Sequence, residues 1–367
     1  MDGRQRHDDE HASCGVGLVV AIDGTPSRGV VEKGINALKA VWHRGAVDAD
    51  GKTGDGAGIH VQIPVPFFED QIRRTGHEPK TDKMIAVGQV FLPRTDFAAQ
   101  ERCRTIVESE VLRMGHYIYG WRHVPVNTEV LGEKANATRP EIEQILIRCE
   151  KDMDQEKFER ELYIIRRRIE KAATAAGIAG VYICSLSCRS IIYKGMMLAE
   201  QVAEFYPDLM DARFESAFAI YHQRYSTNTF PQWSLAQPFR MLAHNGEINT
   251  LKGNVNWMRS HEIRMASNAF GDRAEDIKPI IPSGASDSSA LDSVFEVLVR
   301  AGRNAPMAKT MMVPEAWSQQ AVEMPQAWQD MYGYCNAVME PWDGPAALAM
   351  TDGRWVCGGL DRNGLRP

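Results

Sequence analysis

Two strand-like stretches, CGVGLVVAIDG (residues 14–24) and AGIHVQIPV (57–65), flank a segment of different period. Between them SRGVVEKGINALKAVWHRG sets Val31, Ile35, Leu38 and Trp42 along one face of a helix. A chain that passes from period two to period 3.6 and back lays a helix on a sheet, which restricts the fold more than any other feature. The alternation recurs. KMIAVGQVFLP reads as a strand and RPEIEQILIRCE as an amphipathic helix. VYICSLSCRSIIYKG and ESAFAIYHQRYST are strands rich in β-branched and aromatic residues. KFERELYIIRRRIEKAATAAG is open between a helix and a strand plus helix, with Arg166, Arg167 and Arg168 read as a solvated face. INTLKGNVNWMRSHEIRMA and SDSSALDSVFEVLVRAG are helical, the latter carrying Leu291, Val294, Phe295, Leu298 and Val299 on one side. PAALAMTDGRWVCGGL is a hairpin turning at Asp352-Gly353. The whole predicts a layered α+β architecture.

Composition closes off several classes of function. The 367 residues carry 44% hydrophobic and 25% charged residues, enough for a sizeable core. A net charge of −6 with no long basic stripe gives no reason to expect nucleic acid. No apolar run approaches the length of a membrane span. The leader MDGRQRHDDEHAS is charged throughout and is no secretory signal. Seven cysteines lack the dense spacing of a disulfide scaffold, and Cys184 with Cys188 forms a C-x₃-C without a second pair. A reduced cytoplasmic setting without a metal site fits best. No linker divides the chain, and its stop at GLDRNGLRP, directly after a strand, is what a fragment lacking its last strands would show.

Four short motifs carry chemistry, each beside a plainer reading. Cys14 in SCGVG is either a buried strand cysteine or a nucleophile. If the thirteen preceding residues are removed, its own α-amine, titrating near about 7.7, supplies the base that a thiol needs. Asn245-Gly246 in AHNGEIN is either a type I′ turn or a pair of donors for a tetrahedral oxyanion, one from the side-chain amide and one from the backbone. Arg224 in YHQRYSTNTFPQW lies on an apolar strand, where its guanidinium pairs internally or meets a carboxylate. Asp287 in SGASDSSALD caps a helix or takes an ammonium. GDGAG lacks the ending and the strand–loop–helix order of a phosphate loop. Together the four describe a site for a free amino acid with a side-chain carboxamide, glutamine or asparagine.

These motifs, with WHRGAVDADGKTGDGAG, AHNGEINTLKGNVNWM and GLDRNGLRP, resemble the N-terminal class II glutamine amidotransferase domain of the glutamate synthase large chains, from Cys14 to Pro367. The resemblance implies a four-layer αββα sandwich of the N-terminal-nucleophile hydrolase type, truncated at its C-terminus. It implies a propeptide at residues 1–13, which must be removed for activity, ahead of one domain at 14–367. It implies hydrolysis of L-glutamine through a γ-glutamyl thioester on Cys14. Asn245 and Gly246 then form the oxyanion hole, Arg224 and Asp287 bind the substrate's carboxylate and ammonium, and Arg44 of HRG stands near the nucleophile. No cofactor is expected in this chain; FMN and an iron–sulfur cluster belong to the rest of the large chain, which would receive the ammonia, alongside a small electron-donating subunit. The alternatives are a non-catalytic amino-acid-binding module and another N-terminal-nucleophile amidohydrolase.

Overall fold

In the computed structural model, which describes residues 15–223, 231–265, 268–316 and 324–366, strand β1 (Gly15–Val20) pairs antiparallel with β8 (Phe218–Gln223). Gly15 stands opposite Gln223 and Val20 opposite Phe218. β8 continues to β2 (Ala57–Gln62) and β2 to β7 (Ser190–Gly195), giving the order β1-β8-β2-β7. A second antiparallel sheet runs β4 (Tyr117–His123), β5 (Glu141–Arg148), β3 (Ile85–Leu92), β6 (Tyr182–Ser187). The third runs β11 (Val356–Leu360), β10 (Ala346–Thr351), β9 (Leu242–Gly246). The helices among the described residues are α1 (Arg28–Ala40), α2 (Val65–Arg74), α3 (Phe97–Arg113), α4 (Glu133–Ala137), α5 (Gln155–Ala175), α6 (Gln201–Phe205), α7 (Leu251–Ile263), α8 (Asp287–Arg300), α9 (Ala305–Met312) and α10 (Gln326–Val338).

Local sequence sets where the main helices start. Ser27 accepts from the Val30 N–H, Asp154 from Lys157 and Ser286 from Ser289, so α1, α5 and α8 each begin on a side-chain cap. α1 buries Val31, Ile35 and Leu38 against Ile59 of β2 and Ala219 of β8. Gly34 permits that approach: a Cβ there would lie 2.4 Å from Cβ of Ala219. On the other side of β1 and β8, Phe218 and Ile220 meet Ala243 of β9 and Ala349 of β10 in a small sheet-to-sheet cluster. Leu291, Val294 and Phe295 of α8 cover β9 and β10, with Met311 of α9 in the same cluster. α3 and α5 cover the β4-β5-β3-β6 sheet. The result is the α+β class, with antiparallel sheets and helices packed on their faces.

Three segments depart from the sequence reading. RPEIEQILIRCE is the central strand β5, not a helix. It is buried on both faces, so its apolar residues run on without the clean alternation that would have marked a strand. Trp42 leaves the helix face for a 3₁₀ turn (Trp42–Arg44) and is 62% exposed. Arg166 and Arg167 are buried rather than solvated: on the single helix α5 they pair with Glu170, and Arg166 also with Glu296 of α8. Arg168 pairs with Asp276. As a test of β5 as a core strand, Ile145→Ala, which empties a fully buried position, is expected to lower stability by about 2–5 kcal/mol in urea denaturation.

Candidate functional site

The first and third sheets meet where β8 and β9 end. Nε2 of His222, one residue from the end of β8, is 3.0 Å from the carbonyl of His244 on β9. A carbonyl only accepts, so Nε2 carries the proton and donates. Gln237 doubles the hold on His244: its Oε1 accepts the His244 N–H at 2.8 Å, and its Nε2 donates to the same carbonyl at 3.2 Å. Asn245 and Gly246 follow directly. They close the strand instead of forming the tight turn that an isolated Asn-Gly suggests. Gly246 stands opposite Ala346 with φ 151°, and a Cβ there would fall 1.9 Å from the Pro345 carbonyl, so only glycine fits. Asn245 is buried, and its Oδ1 accepts from Nη2 of Arg366 at 2.7 Å.

α8 brackets this strand from one side. Asp292 Oδ1 accepts from the Met241 N–H at 2.8 Å, just before β9 begins. Ser288 Oγ lies 2.8 Å from Nδ1 of His244. Asp287 Oδ2 accepts from the Ile248 N–H at 3.0 Å, just after β9 ends. Asp287 is the first residue of the helix and Ser286 is the cap; the Asp287 carboxylate serves both ends, its Oδ1 accepting the Ser288 N–H of the first turn at 2.7 Å while its Oδ2 holds the strand end. It is half-buried, with one edge toward solvent.

Arg44 closes the 3₁₀ turn after α1 and is half-buried. The neighbouring Gly45 packs against Gln223: a Cβ on it would lie 1.9 Å from the Gln223 Nε2. Beyond it, residues 46–55 fold into a small hairpin in which Val47 bridges Gly54 and Asp55 Oδ1 accepts from the Ala46 N–H at 3.2 Å. This settles GDGAG as a turn and strand start, not a phosphate loop. A cleft of about 550 Å³ beside the hairpin is lined by Val47, Asp48, Thr53, Lys134 and Met196 among others. Cys14 and Arg224 lie outside the described residues. Their sequence neighbours Gly15 and Gln223 are opposite one another in the β1–β8 ladder, at the strand ends where Asn245 and Gly246 also stand. The sequence reading missed His222, Gln237, His244, Ser288 and Arg366. The signal for His244 was present: a histidine between apolar Ala243 and the polar Asn245 inside a strand.

A profile of the class-II glutamine amidotransferases matches residues 14–367. The chain belongs to this family. It is 67% identical to the NADPH glutamate synthase large chain of Azospirillum brasilense, over 98% of this chain and 24% of that one. It is 42% identical to the corresponding chain of Bacillus subtilis (100% and 24%) and 43% identical to ferredoxin-dependent glutamate synthase 1 of Arabidopsis thaliana (98% and 22%). The chain thus spans about a quarter of the length of these relatives, and it corresponds to their amidotransferase domain. Among the described residues no helix is long and apolar enough to cross a membrane.

Burial shapes the titration of the buried histidines. It pulls His222 down to about 3 and His244 down to about 4, the latter with Arg366 adding to the effect and Asp287 opposing it. His60, buried on β2, is likewise lowered to about 3. In each case the folded pKa lies below the unfolded value of about 6.5, so the unfolded chain takes up protons first as pH falls. Asp292 works the other way: burial and Glu296 raise it to about 6, so the folded state holds that proton more tightly. Three histidines outweigh one aspartate. The melting temperature is therefore expected to fall between pH 6.5 and 5, above the range in which ordinary carboxylates titrate, as checked by thermal melts across that interval. The slope should become shallower in His60→Asn, which leaves the strand ends untouched.

Proposed function

We propose that the chain is the glutaminase domain of a glutamate synthase, built as a four-layer αββα N-terminal-nucleophile hydrolase and working from Cys14 once residues 1–13 are removed. The observation that carries this reading is the convergence of β1, β8 and β9 on one edge, which gathers Gly15, Gln223, Asn245 and Gly246 with Asp287 alongside. The other cysteines support it by contrast. All six in the described residues are unpaired, and burial pushes every one of their thiols up, Cys103 and Cys357 to about 11 and Cys184 to about 12. None is primed to be a thiolate. The family match also begins at Cys14.

In this reading the α-amine of Cys14 takes the thiol proton, and the sulfur attacks the γ-carbonyl of L-glutamine. The Asn245 amide and the Gly246 N–H hold the tetrahedral oxyanion. The intermediate collapses as the protonated amide nitrogen leaves as ammonia, and water then cleaves the γ-glutamyl thioester to release glutamate. Arg224 takes the α-carboxylate as a two-pronged donor, Asp287 the α-ammonium, and Arg44 stands near the nucleophile. While residues 1–13 remain, the amine is tied up in a peptide bond and the base is missing. The ammonia would pass to the synthase part of the large chain, and flavin and iron–sulfur chemistry belongs there, with any electron-donating subunit. Unpaired cysteines suit a cytoplasmic location.

The test is mass spectrometry of the protein before and after 6-diazo-5-oxonorleucine, a glutamine-shaped alkylator. The expected result is a chain beginning at Cys14 with a single adduct on that residue, and no adduct on a chain that keeps residues 1–13. A chain beginning at Cys14 that takes no adduct, while glutamine still raises its melting temperature, supports the binding-module reading instead. Equal hydrolysis of glutamine and N-acetylglutamine would point to a different amidohydrolase.

A further inference from the structure

The segment DRNGLRP, residues 361–367, has no part in the mechanism above, yet through Arg366 it reaches the oxyanion residue. Nη2 of Arg366 donates to Oδ1 of Asn245 at 2.7 Å. A guanidinium has five donors and no acceptor, so the end of the Asn245 amide that faces it is the oxygen. That leaves the NH₂ as the end presented to a substrate oxygen. Turned over, the amide would set its own N–H groups against the guanidinium and offer an oxygen to a developing oxyanion, which is repulsive on both sides.

The loop that carries Arg366 is organised by one carboxylate. Asp361 accepts at 3.0 Å from each of four backbone N–H groups: Asn363 and Leu365 on Oδ1, Arg366 and Ala346 on Oδ2. Burial alone would raise this carboxyl, and the four donors hold it below its usual range. Ala346 is also the residue opposite Gly246 in the β9–β10 ladder, and the Asp361 N–H returns a bond to the Ala346 carbonyl at 2.8 Å. Arg362 Nε fastens the same loop to the Pro314 carbonyl at 3.1 Å. One clamp therefore reaches both oxyanion residues, Gly246 through the strand and Asn245 through Arg366.

We propose that Arg366 is a positioning residue for glutamine hydrolysis: held by the Asp361 loop, it fixes the Asn245 amide with its NH₂ toward the oxyanion. The inference rests on the glutaminase reading above. The test is a double-mutant cycle on the full chain processed to begin at Cys14, with folding checked by circular dichroism. Arg366→Ala should lower kcat about 10- to 100-fold and leave KM for glutamine within about twofold. Asn245→Ala should lower kcat by about 100- to 1,000-fold. The double variant should fall no further than Asn245→Ala alone, because with no amide left to orient the arginine has nothing to do. Should Arg366→Ala fail to fold, Arg366→Lys and Arg366→Gln take its place. Lysine offers donors only and glutamine can offer either end, so Arg366→Lys should keep the higher kcat. An Arg366→Ala kcat within twofold of wild type, full multiplication of the two single losses, or Arg366→Gln matching or exceeding Arg366→Lys overturns the proposal. A processed wild type that does not hydrolyse glutamine overturns the glutaminase reading and this inference with it; a wild type that turns over beside an unaffected Arg366→Ala overturns the inference alone.

Discussion

The bond from His222 to the His244 carbonyl is the constraint on which the site depends, because it is where two separate sheets share one fixed point. Antiparallel ladders position residues well within a sheet, but nothing in a ladder relates one sheet to its neighbour. Apolar contact across the sheets, here Phe218 and Ile220 against Ala243 and Ala349, is non-directional and tolerates sliding. A buried donor with a single acceptor does not. Breaking it leaves a dehydrated N–H that costs about 1–3 kcal/mol, so β8 and β9 are held in one relative register. The bond needs a proton on Nε2 of His222, and burial favours the neutral form of both imidazoles. A charged ring buried as these two are would lack solvation.

Helix α8 adds a second restraint through polar side chains placed at intervals. Asp287, Ser288 and Asp292 meet the chain after, within and before β9, so a rigid helix sets the strand's position along its own axis as well as across the sheet. One turn beyond Asp292, α8 is itself held by the ion pair of Glu296 with Arg166, on α5. Such buried pairs contribute little net stability, but removing one partner strands the other. They act here as locators: α5 is tied to the second sheet by its apolar face and to α8 by its arginines, so all three sheets are referred to one frame.

The sequence disclosed the parts of this arrangement that are periodic or chemically unusual. α1 and α8 were legible because one face of each is buried, and β1, β2, β3 and β8 because their composition is strand-like and short. β5 was illegible for the reason that makes it central: a strand covered on both faces loses the alternation that identifies it, and Ile145, Leu146 and Ile147 read equally as a helix. The arginines of α5 were misjudged because a run of like charge usually faces water, and their partners Glu296 and Asp276 lie far along the chain. Asn245, Gly246 and Asp287 stood out by type and neighbourhood, and the structure brings them together at the end of β9. His244 left a trace as a lone histidine inside a strand, but Gln237 and Arg366 did not, because what they do is hold other residues. That role is defined by contacts across 7 to 121 positions of sequence and has no local signature.

The same contacts divide the labour within the site. Asp287 is set by the first turn of α8 and accepts two backbone N–H groups, Ser288 on Oδ1 and Ile248 on Oδ2, so its half-exposed carboxylate is fixed at the end of β9. Asn245 and Gly246 are set by β10, by His222 and Gln237 acting on the preceding residue, and by Arg366. In the proposed glutaminase, holding the substrate and stabilising its transition state would thus fall to different structural elements that touch at Ser288 and His244. An oxyanion hole accelerates reaction only in so far as its dipoles need not reorganise when charge appears. Fixing β9 from both sheets and from α8 would, in the proposed reaction, place rigidity where the charge develops.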